Sequence, residues 1–246
     1  MVLVPENSAD RAGGHARSRG LAPPIRIPVG LVVLVGPPAS GKTSFVRALV
    51  EQGRIEAEAV VSSDDIRTEL FGAVSEPADI EPADVEPADV EPADSDVEDP
   101  APVGSDTADS DAADARIFEE RDRRIAARLA DGLVVIAEST NVTPQARERL
   151  HALARRFGAP VTVLRFAPET ADLLQQYAER GRTDLTEADV RAYAAVMSRD
   201  AGADRLRSEG AAAVHEVPGR RQSVTPAEAA ARFVVDRGGV RRIVTG

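Results

Sequence analysis

The sequence contains no cysteine and no long apolar segment. Without cysteine, the chain has no disulfides, no thiolate metal site and no cysteine nucleophile. Its longest apolar run lies around Leu31–Val35, which is far too short to cross a bilayer. Residues Met1–Asp10 also lack the basic and then apolar pattern of a secretory signal. These absences predict a cytoplasmic protein with no membrane partner.

Lysine is nearly absent as well. Of the 30 basic residues, 29 are arginine, and Lys42 is the only lysine. A coding bias accounts for the preference for arginine, so the position of the single lysine becomes informative. An Asn-Lys-x-Asp motif, which reads guanine, cannot occur elsewhere in such a chain. The sequence therefore argues against a regulatory GTPase.

The negative net charge belongs to one segment of the chain. The formal charge is −11, but Ser75–Asp114 holds 15 acidic residues and no basic ones. The rest of the chain has 26 acidic and 30 basic residues, a net charge of +4. This mildly basic remainder is compatible with an anionic substrate but is weak for a dedicated nucleic-acid binder.

Composition divides the chain into four parts. Residues 1–28 are rich in Gly, Pro, Arg and Ser, which predicts a flexible leader. Residues 75–114 contain a tandem Glu-Pro-Ala-Asp repeat, whose prolines and acids predict a disordered surface insert. Residues 29–74 and 115–218 form the predicted folded domain, and residues 219–246 form a predicted C-terminal helix and tail, with the helix over Pro226–Val235.

Strands and helices alternate along the folded part. The strand signals are short, continuous apolar runs, and the helix signals are apolar residues at helical spacing. The predicted strands are Val29–Val35, Ala59–Val61, Gly132–Ala137, Pro160–Phe166 and Ala211–Val217. Near-continuous apolar strands that alternate with helices predict an α/β fold, with a parallel sheet covered by helices on both faces.

A phosphate-binding loop follows the first predicted strand. Residues Gly36–Thr43 fit the pattern G-x-x-x-x-G-K-[ST], between a buried strand and a helix. Backbone N–H groups of such a loop and the following helix N-terminus bind phosphate oxygens. Lys42 is expected to reach the β- and γ-phosphates of ATP (or GTP), and the Thr43 hydroxyl to bind Mg²⁺. The residues expected to hold the nucleotide are Gly36, Pro37, Pro38, Ala39, Ser40, Gly41, Lys42, Thr43 and Ser44.

The second predicted strand ends in Ser62-Ser63-Asp64-Asp65-Ile66-Arg67. Open α/β sheets bind ligands at the carboxyl ends of their strands, so a carboxylate there can face the γ-phosphate. Asp64 is the candidate that deprotonates an acceptor hydroxyl, and Arg67, one helical turn later, is the candidate for binding an acceptor anion. The alternative is structural, with Ser63 or Asp64 as the cap of the next helix and Arg67 as a surface residue.

Three further charged residues complete the predicted site. Glu138 ends the third strand, where a carboxylate suits a water-mediated contact with Mg²⁺. Arg180 and Arg182 flank a predicted lid turn, where they can neutralise charge on a transferring phosphoryl group. The alternative interpretation of Glu138 is an acid at a strand end that faces solvent. For Arg180 and Arg182, the alternative is a run of solvated charges.

Three stretches together resemble the kinase module of bacterial and phage polynucleotide 5′-kinases. They are Gly36–Thr43, the Ser-Ser-Asp-Asp-Ile-Arg stretch and Val134–Arg147. The resemblance implies an adenylate-kinase-like P-loop fold, often a homo-oligomer, and a role for Asp64 in activating a 5′-hydroxyl. It also implies that Arg67 binds the neighbouring 3′-phosphate and that Arg180 and Arg182 contact the donor phosphates.

The sequence departs from that family at two places. The third strand ends in Glu138-Ser139-Thr140-Asn141, where the family usually has Asp-Ala-Thr-Asn. The segment Gln176–Glu179 stands where an Arg-Asn pair usually precedes the lid arginines.

The predicted function is an ATP- and Mg²⁺-dependent kinase that phosphorylates a polynucleotide 5′-hydroxyl. The alternatives are a small-molecule or zeta-toxin-like kinase, and a nucleotide-binding switch or ATPase without a phosphoryl acceptor.

Overall fold

The structure is a computed structural model that describes residues 23–72, 105–181 and 185–238 of the 246. The first part of the predicted leader, the acidic repeat and Arg182 lie outside these ranges. The helices in chain order are α1 (Lys42–Glu51), α2 (Ser63–Phe71), α3 (Ser105–Ala130), α4 (Pro144–Arg156), α5 (Thr170–Arg180), α6 (Glu187–Asp200), α7 (Ala203–Ser208) and α8 (Pro226–Ala231). The strands are β1 (Ile25–Ile27), β2 (Leu31–Val35), β3 (Val60–Ser62), β4 (Val135–Glu138), β5 (Val161–Arg165), β6 (Ala213–Glu216) and β7 (Phe233–Val235).

Five parallel strands form the main sheet in the order β3-β4-β2-β5-β6. Strand β2 lies at the centre, where Leu31 is opposite Val135 on one side and Val161 on the other. Strands β3 and β4 lie on one side of β2, and strands β5 and β6 lie on the other side. Because the connections run to opposite sides of β2, a crevice opens at the carboxyl end of this strand. The predicted α/β fold with a parallel sheet is confirmed.

The two faces of β2 belong to two separate hydrophobic cores. Leu31, Val33 and Val35 pack with residues of α2, α3, α4, α6 and α7. Val32 and Leu34 pack on the opposite face with residues of α1, α8 and the β1–β7 pair. All five β2 side chains are buried, because successive residues of a strand point to opposite faces and both faces are covered.

Both ends of the folded domain differ from the sequence prediction. Ile25–Ile27, placed in the flexible leader, forms β1 and pairs in parallel with Phe233–Val235. The predicted C-terminal helix therefore ends at Ala231, and its last residues form β7 instead. The reason is burial, since Ile27 and Phe233 are both 0% exposed in the core on the α1 side.

Helix α3 also begins earlier than predicted. The sequence prediction placed Ser75–Asp114 in a disordered insert, whereas α3 starts at Ser105. Residues 105–114 contain no proline, unlike the repeat before them, so nothing in the backbone opposes a helix there. Asp114 bonds to Arg67 of α2, which fixes this end of α3 against the domain. The prediction is wrong for these ten residues of the chain.

A fully buried arginine, Arg147 of α4, joins three elements of the fold. Its guanidinium donates to the carbonyl oxygens of Asn141, Val142 and Asp200 at 2.7–3.0 Å. It also binds both carboxylate oxygens of Glu209, at 2.7 and 2.8 Å. These bonds fix the loop after β4 to the ends of α6 and α7.

We expect Arg147→Met to lower the free energy of unfolding by about 3 kcal/mol, because it removes the buried partner of the Glu209 carboxylate and the donor to three carbonyls. Urea denaturation measures this loss. Arg155→Met, at an exposed position of the same helix, is the matched control and should change stability by less than about 0.5 kcal/mol. Equal stability of both variants would contradict the structural role of Arg147.

Candidate functional site: a phosphate-binding loop and two strand ends

The loop between β2 and α1 curls around the ammonium group of Lys42. Nζ donates to the carbonyl oxygens of Gly36 and Pro37 at 2.8 and 2.7 Å, and to the Ser40 hydroxyl at 3.4 Å. Gly41 and Ala39 have positive φ angles of 93° and 63°, which produce the curl. The side chain of Lys42, although charged, is thereby kept nearly buried at the start of a helix, with only 8% of the residue exposed.

Gly36 is required for space rather than for its backbone angle. A Cβ atom at this position would lie 2.8 Å from the Phe166 carbonyl oxygen, the Phe166 Cβ and the Ser40 hydroxyl. Its N–H donates to the Thr140 carbonyl at 2.9 Å, which joins the loop to the segment after β4. Any side chain at Gly36 must therefore displace the first turn of the phosphate-binding loop.

We expect Gly36→Ala to weaken ATP binding at least about tenfold, because a displaced loop loses charge-assisted hydrogen bonds to phosphate. Isothermal titration calorimetry with ATP measures the change. Gly202→Ala is the matched control, since a Cβ there has no neighbour within 4 Å and the backbone needs no positive φ. Unchanged ATP affinity in Gly36→Ala would contradict the assignment of this loop.

A second group of polar residues lies where β3 and β4 end. Ser62 and Glu138 are directly opposite each other in the ladder between these two strands. The Glu138 carboxylate accepts a hydrogen bond from Thr43, and Lys42, Asp64 and Asp65 are near enough to act on its charge. Burial raises the pKa of the Glu138 carboxyl above its ordinary value, while the Thr43 bond and the Lys42 charge oppose that shift. The structure therefore places these residues in one site.

Thr43 and Glu138 carry oxygen atoms that can bind Mg²⁺ directly or through one of its waters. The ion prefers oxygen donors and keeps several waters, so it needs few protein ligands when phosphate oxygens are present. The described residues contain no cluster of three or more His, Cys, Asp or Glu that would form a dedicated cage. The hydroxyl and carboxylate in mutual contact fit an ion that is shared with a nucleotide.

Asp64 lies exposed in the first turn of α2. Ser62 caps this helix, because its hydroxyl accepts from the Asp65 N–H at 3.3 Å, so the predicted cap at Ser63 or Asp64 is wrong. The Asp64 carboxylate is therefore not used as the helix cap. Arg67, on the next turn, donates to the Asp114 carboxylate at 2.6 Å, and both side chains remain about half exposed.

The segment after β4 supports the loop in a way the sequence prediction missed. Asn141 has a positive φ of 46°, and its side-chain amide donates to the Leu34 carbonyl of β2 at 2.9 Å. Its own carbonyl accepts from Arg147, so the segment is held from both sides. The available sequence signal was the polar run Ser139-Thr140-Asn141 directly after a buried strand.

A cavity of about 620 Å³ adjoins the phosphate-binding loop. One wall is formed by Ser40, Gly41 and Ser44, and the opposite walls come from α5 and from the segment after β6. Arg220 in that segment bonds to Glu179 of α5, which joins two of the walls. Its volume lies in the range of small-ligand pockets. The sequence prediction missed this cavity, because its walls come from segments far apart in the chain.

The predicted lid is described only in part. Helix α5 ends at Arg180, and Gly181 follows with a positive φ of 59°. Arg182 lies outside the described residues, so the roles of both arginines stay predictions. Ala39 of the phosphate-binding loop packs against Leu173 of α5 and Val190 of α6. The two helices on either side of the lid turn therefore contact the loop directly.

The described segments contain no helix with the length and apolar character that crossing a membrane requires.

Comparison with curated proteins gives no match. Among solved structures, a candidate kinase from Chloroflexus aurantiacus J-10-fl is 16% identical with a TM-score of 0.47, over 82% of this chain and 92% of its own. The Pnkp1/Rnl/Hen1 RNA repair complex gives 16% identity and a TM-score of 0.47, over 74% of this chain and 46% of the matched chain.

Shikimate kinase from Acinetobacter baumannii, in complex with shikimate, is likewise 16% identical, with a TM-score of 0.43 over 83% of this chain and 90% of its own. The family described as "AAA domain" matches residues 31–199. The matched region runs from β2 into α6 and so contains the phosphate-binding loop, both polar strand ends and α5. This match covers more than half of the chain, so the chain belongs to this AAA domain family.

Proposed function

We propose that the protein is an ATP- and Mg²⁺-dependent kinase that transfers the γ-phosphoryl group to the 5′-hydroxyl of a polynucleotide. The observation that carries the proposal is the position of Asp64. An exposed carboxylate that is not used as a helix cap lies at the same sheet edge as Lys42, Thr43 and Glu138. A nucleotide switch has no use for such a group, whereas a kinase needs it to accept the acceptor's proton.

The donor side is built from the phosphate-binding loop and its neighbours. The loop N–H groups and the N-terminus of α1 bind the phosphates, and Lys42 exchanges its bonds to the Gly36 and Pro37 carbonyls for phosphate oxygens. Thr43 and Glu138, which are hydrogen-bonded to each other, would hold the Mg²⁺, and the ion would supply positive charge for the β- and γ-phosphates. The cavity beside Ser40 and Ser44 takes the nucleoside.

The transfer step needs one base and a fixed line of attack. The acceptor hydroxyl gives its proton to Asp64 as its oxygen forms the new bond to the γ-phosphorus. The bond between this phosphorus and the β–γ bridging oxygen breaks, and ADP leaves with that electron pair. Lys42 stabilises the negative charge that develops on the departing oxygens. Arg180 and Arg182, as the resemblance to polynucleotide kinases implies, add positive charge from the lid.

Arg67 fits the role of an anion-binding residue for the acceptor. It lies one turn after Asp64, and its partner Asp114 is itself about half exposed. Exposed ion pairs contribute little to stability, so a phosphate of the acceptor can replace the carboxylate. This exchange supports a polyanionic acceptor whose reactive hydroxyl lies next to a phosphate, as in a polynucleotide with a 5′-hydroxyl.

A second candidate is a kinase for a small metabolite, or a zeta-toxin-like kinase. The net charge of only +4 outside the acidic segment favours it, since a small acceptor needs no extended basic track. It uses the same Lys42 and Asp64, so the acceptor distinguishes the two functions.

The test is transfer of labelled γ-phosphate from ATP with Mg²⁺ to a 5′-hydroxyl oligonucleotide in the presence of a mixed metabolite pool. We expect labelled oligonucleotide with the wild type and none with Asp64→Asn. Label in the metabolite pool alone would replace the proposal by the small-molecule kinase. Release of free phosphate alone, unaffected by Asp64→Asn, would indicate an ATPase without an acceptor.

A further inference from the structure

The solvent side of α2 carries three aligned residues, the first of which lies near Glu138 of the candidate site. Asp64, Arg67 and Phe71 are separated by three and four residues, so they share one face of the helix within about 60° of each other. Ile66, 1% exposed, points into the core and fixes which face is outward. With a rise of about 1.5 Å per residue, Phe71 lies about 10 Å beyond Asp64 along the helix axis.

Phe71 is one of two exposed phenylalanines in the part of the chain that the structure describes. Aromatic residues make up only 3% of the sequence, and Phe71 is 44% exposed. The guanidinium of Arg116, on α3, lies 5.2 Å from the centre of that ring. Arg116 is also exposed and forms no ion pair in the described part of the chain. Because the guanidinium lies over the ring, the pair forms a stack of flat groups that a nucleobase can extend.

We propose that Phe71 and Arg116 form a stacking platform for a base near the 5′ end of a single-stranded nucleic-acid acceptor. The inference rests on the proposed function, and it extends the acceptor site from Asp64 and Arg67 along α2. The reactive hydroxyl lies at Asp64, the adjacent phosphate at Arg67 and the base at Phe71. The short distance along the helix limits the contact to the first bases of the strand.

The chemistry of this face favours a nucleic acid over a small metabolite. A sugar or a shikimate-like acid offers a hydroxyl and at most an anion, which Asp64 and Arg67 already satisfy. A platform about 10 Å from the attacking group contacts only a longer acceptor that carries a flat ring. Stacking also tolerates any base sequence, because every base has a π-face, so the site requires no base-specific hydrogen bonds.

The first arm of the test measures kcat and KM for a 5′-hydroxyl oligonucleotide with the variants Phe71→Ala and Phe71→Tyr. We expect Phe71→Ala to raise KM about 5- to 100-fold with little change in kcat, because one stacked base contributes that range of affinity. Phe71→Tyr keeps the ring and should behave as the wild type. Phe157→Ala removes another exposed phenylalanine, from the end of α4, and should leave KM unchanged.

The second arm uses an oligonucleotide of the same length whose first two residues lack their bases. The wild type should bind this abasic strand as weakly as Phe71→Ala binds the normal one, and Phe71→Ala should not distinguish the two strands. A KM increase in Phe71→Ala that is equal for both strands would overturn the platform, since it would reflect a structural effect. An unchanged KM for the normal strand would overturn it as well.

Equilibrium binding separates this inference from the proposed function. Fluorescence anisotropy of a labelled oligonucleotide reports strand affinity without any transfer. Affinity that depends on Phe71 and on the terminal bases, with no phosphorylated strand, would support the platform and overturn the kinase proposal. Phosphorylated strand with affinity independent of Phe71 would support the kinase and overturn the platform.

Discussion

Lys42→Ala should reduce γ-phosphoryl transfer by about 10³-fold or more. The ammonium lies in the phosphate-binding loop, where it donates to loop carbonyls at 2.8 and 2.7 Å and lies within electrostatic reach of Glu138; in the proposed mechanism it exchanges these carbonyls for phosphate oxygens. A positive charge at the transferring phosphoryl group stabilises the transition state more than the ground state, and removing one such donor costs about 10²- to 10³-fold, with lost phosphate binding in addition. Single-turnover transfer with labelled ATP measures the effect.

Arg47→Ala is the matched control for this variant. Arg47 lies on the same helix, carries the same charge and is exposed, and nothing places it in the site. It should retain transfer within about twofold and leave stability unchanged. If Arg47→Ala and Lys42→Ala lose activity equally, net charge rather than the phosphate-binding loop controls the reaction.

Asp64→Asn should lower kcat by about 10²- to 10⁴-fold and leave the affinity for ATP unchanged. The amide keeps the shape of the side chain but cannot accept the proton of the acceptor hydroxyl, and general-base catalysis contributes a factor of this size. Because Ser62 rather than Asp64 caps α2, the substitution leaves the helix start intact. Calorimetry with ATP and transfer kinetics on the same preparation separate binding from chemistry.

Asp65→Asn is the comparison that tests which carboxylate acts. Asp65 is the next residue, is also exposed, and also acts on the charge of Glu138. Asp65→Asn should keep at least a third of the wild-type kcat. In a helix, the side chain of Asp65 is rotated by about 100° around the axis from that of Asp64, so it points away from the acceptor. The reverse ranking of the two variants would assign the base to Asp65 and remove the basis for the alignment of Asp64, Arg67 and Phe71.

Much of the fold and the donor half of the site follow from local sequence. The apolar run that becomes β2 is buried on both faces, and a loop with glycines at Gly36 and Gly41 follows it directly. A strand that is buried on both faces is recognisable from its continuous apolar run, and the phosphate-binding loop is recognisable from its motif. Both signals lie within a few neighbouring residues. The sequence also placed Ser62 and Glu138 at strand ends, whereas their direct pairing depends on the strand order, which the sequence did not predict.

The remaining features depend on contacts between distant segments. Ile25–Ile27 pairs with Phe233–Val235, about 200 residues later, and Ile27 is buried in a core that both ends of the domain share. The partner of Arg67 is Asp114, across a long acidic segment, and the partner of Arg147 is Glu209. A single sequence carries no local signal for such pairs, so the leader, the start of α3 and the cavity walls could not be predicted from it.

The most direct test of the central claim uses two oligonucleotides that differ only at the 5′ end, one with a free hydroxyl and one with a 5′-O-methyl group. With labelled ATP and Mg²⁺, the wild type should label only the hydroxyl strand, digestion should recover the label in the 5′-terminal nucleotide, and Asp64→Asn should label neither. Equal label on both strands, or none on either while a metabolite is labelled, would contradict the account.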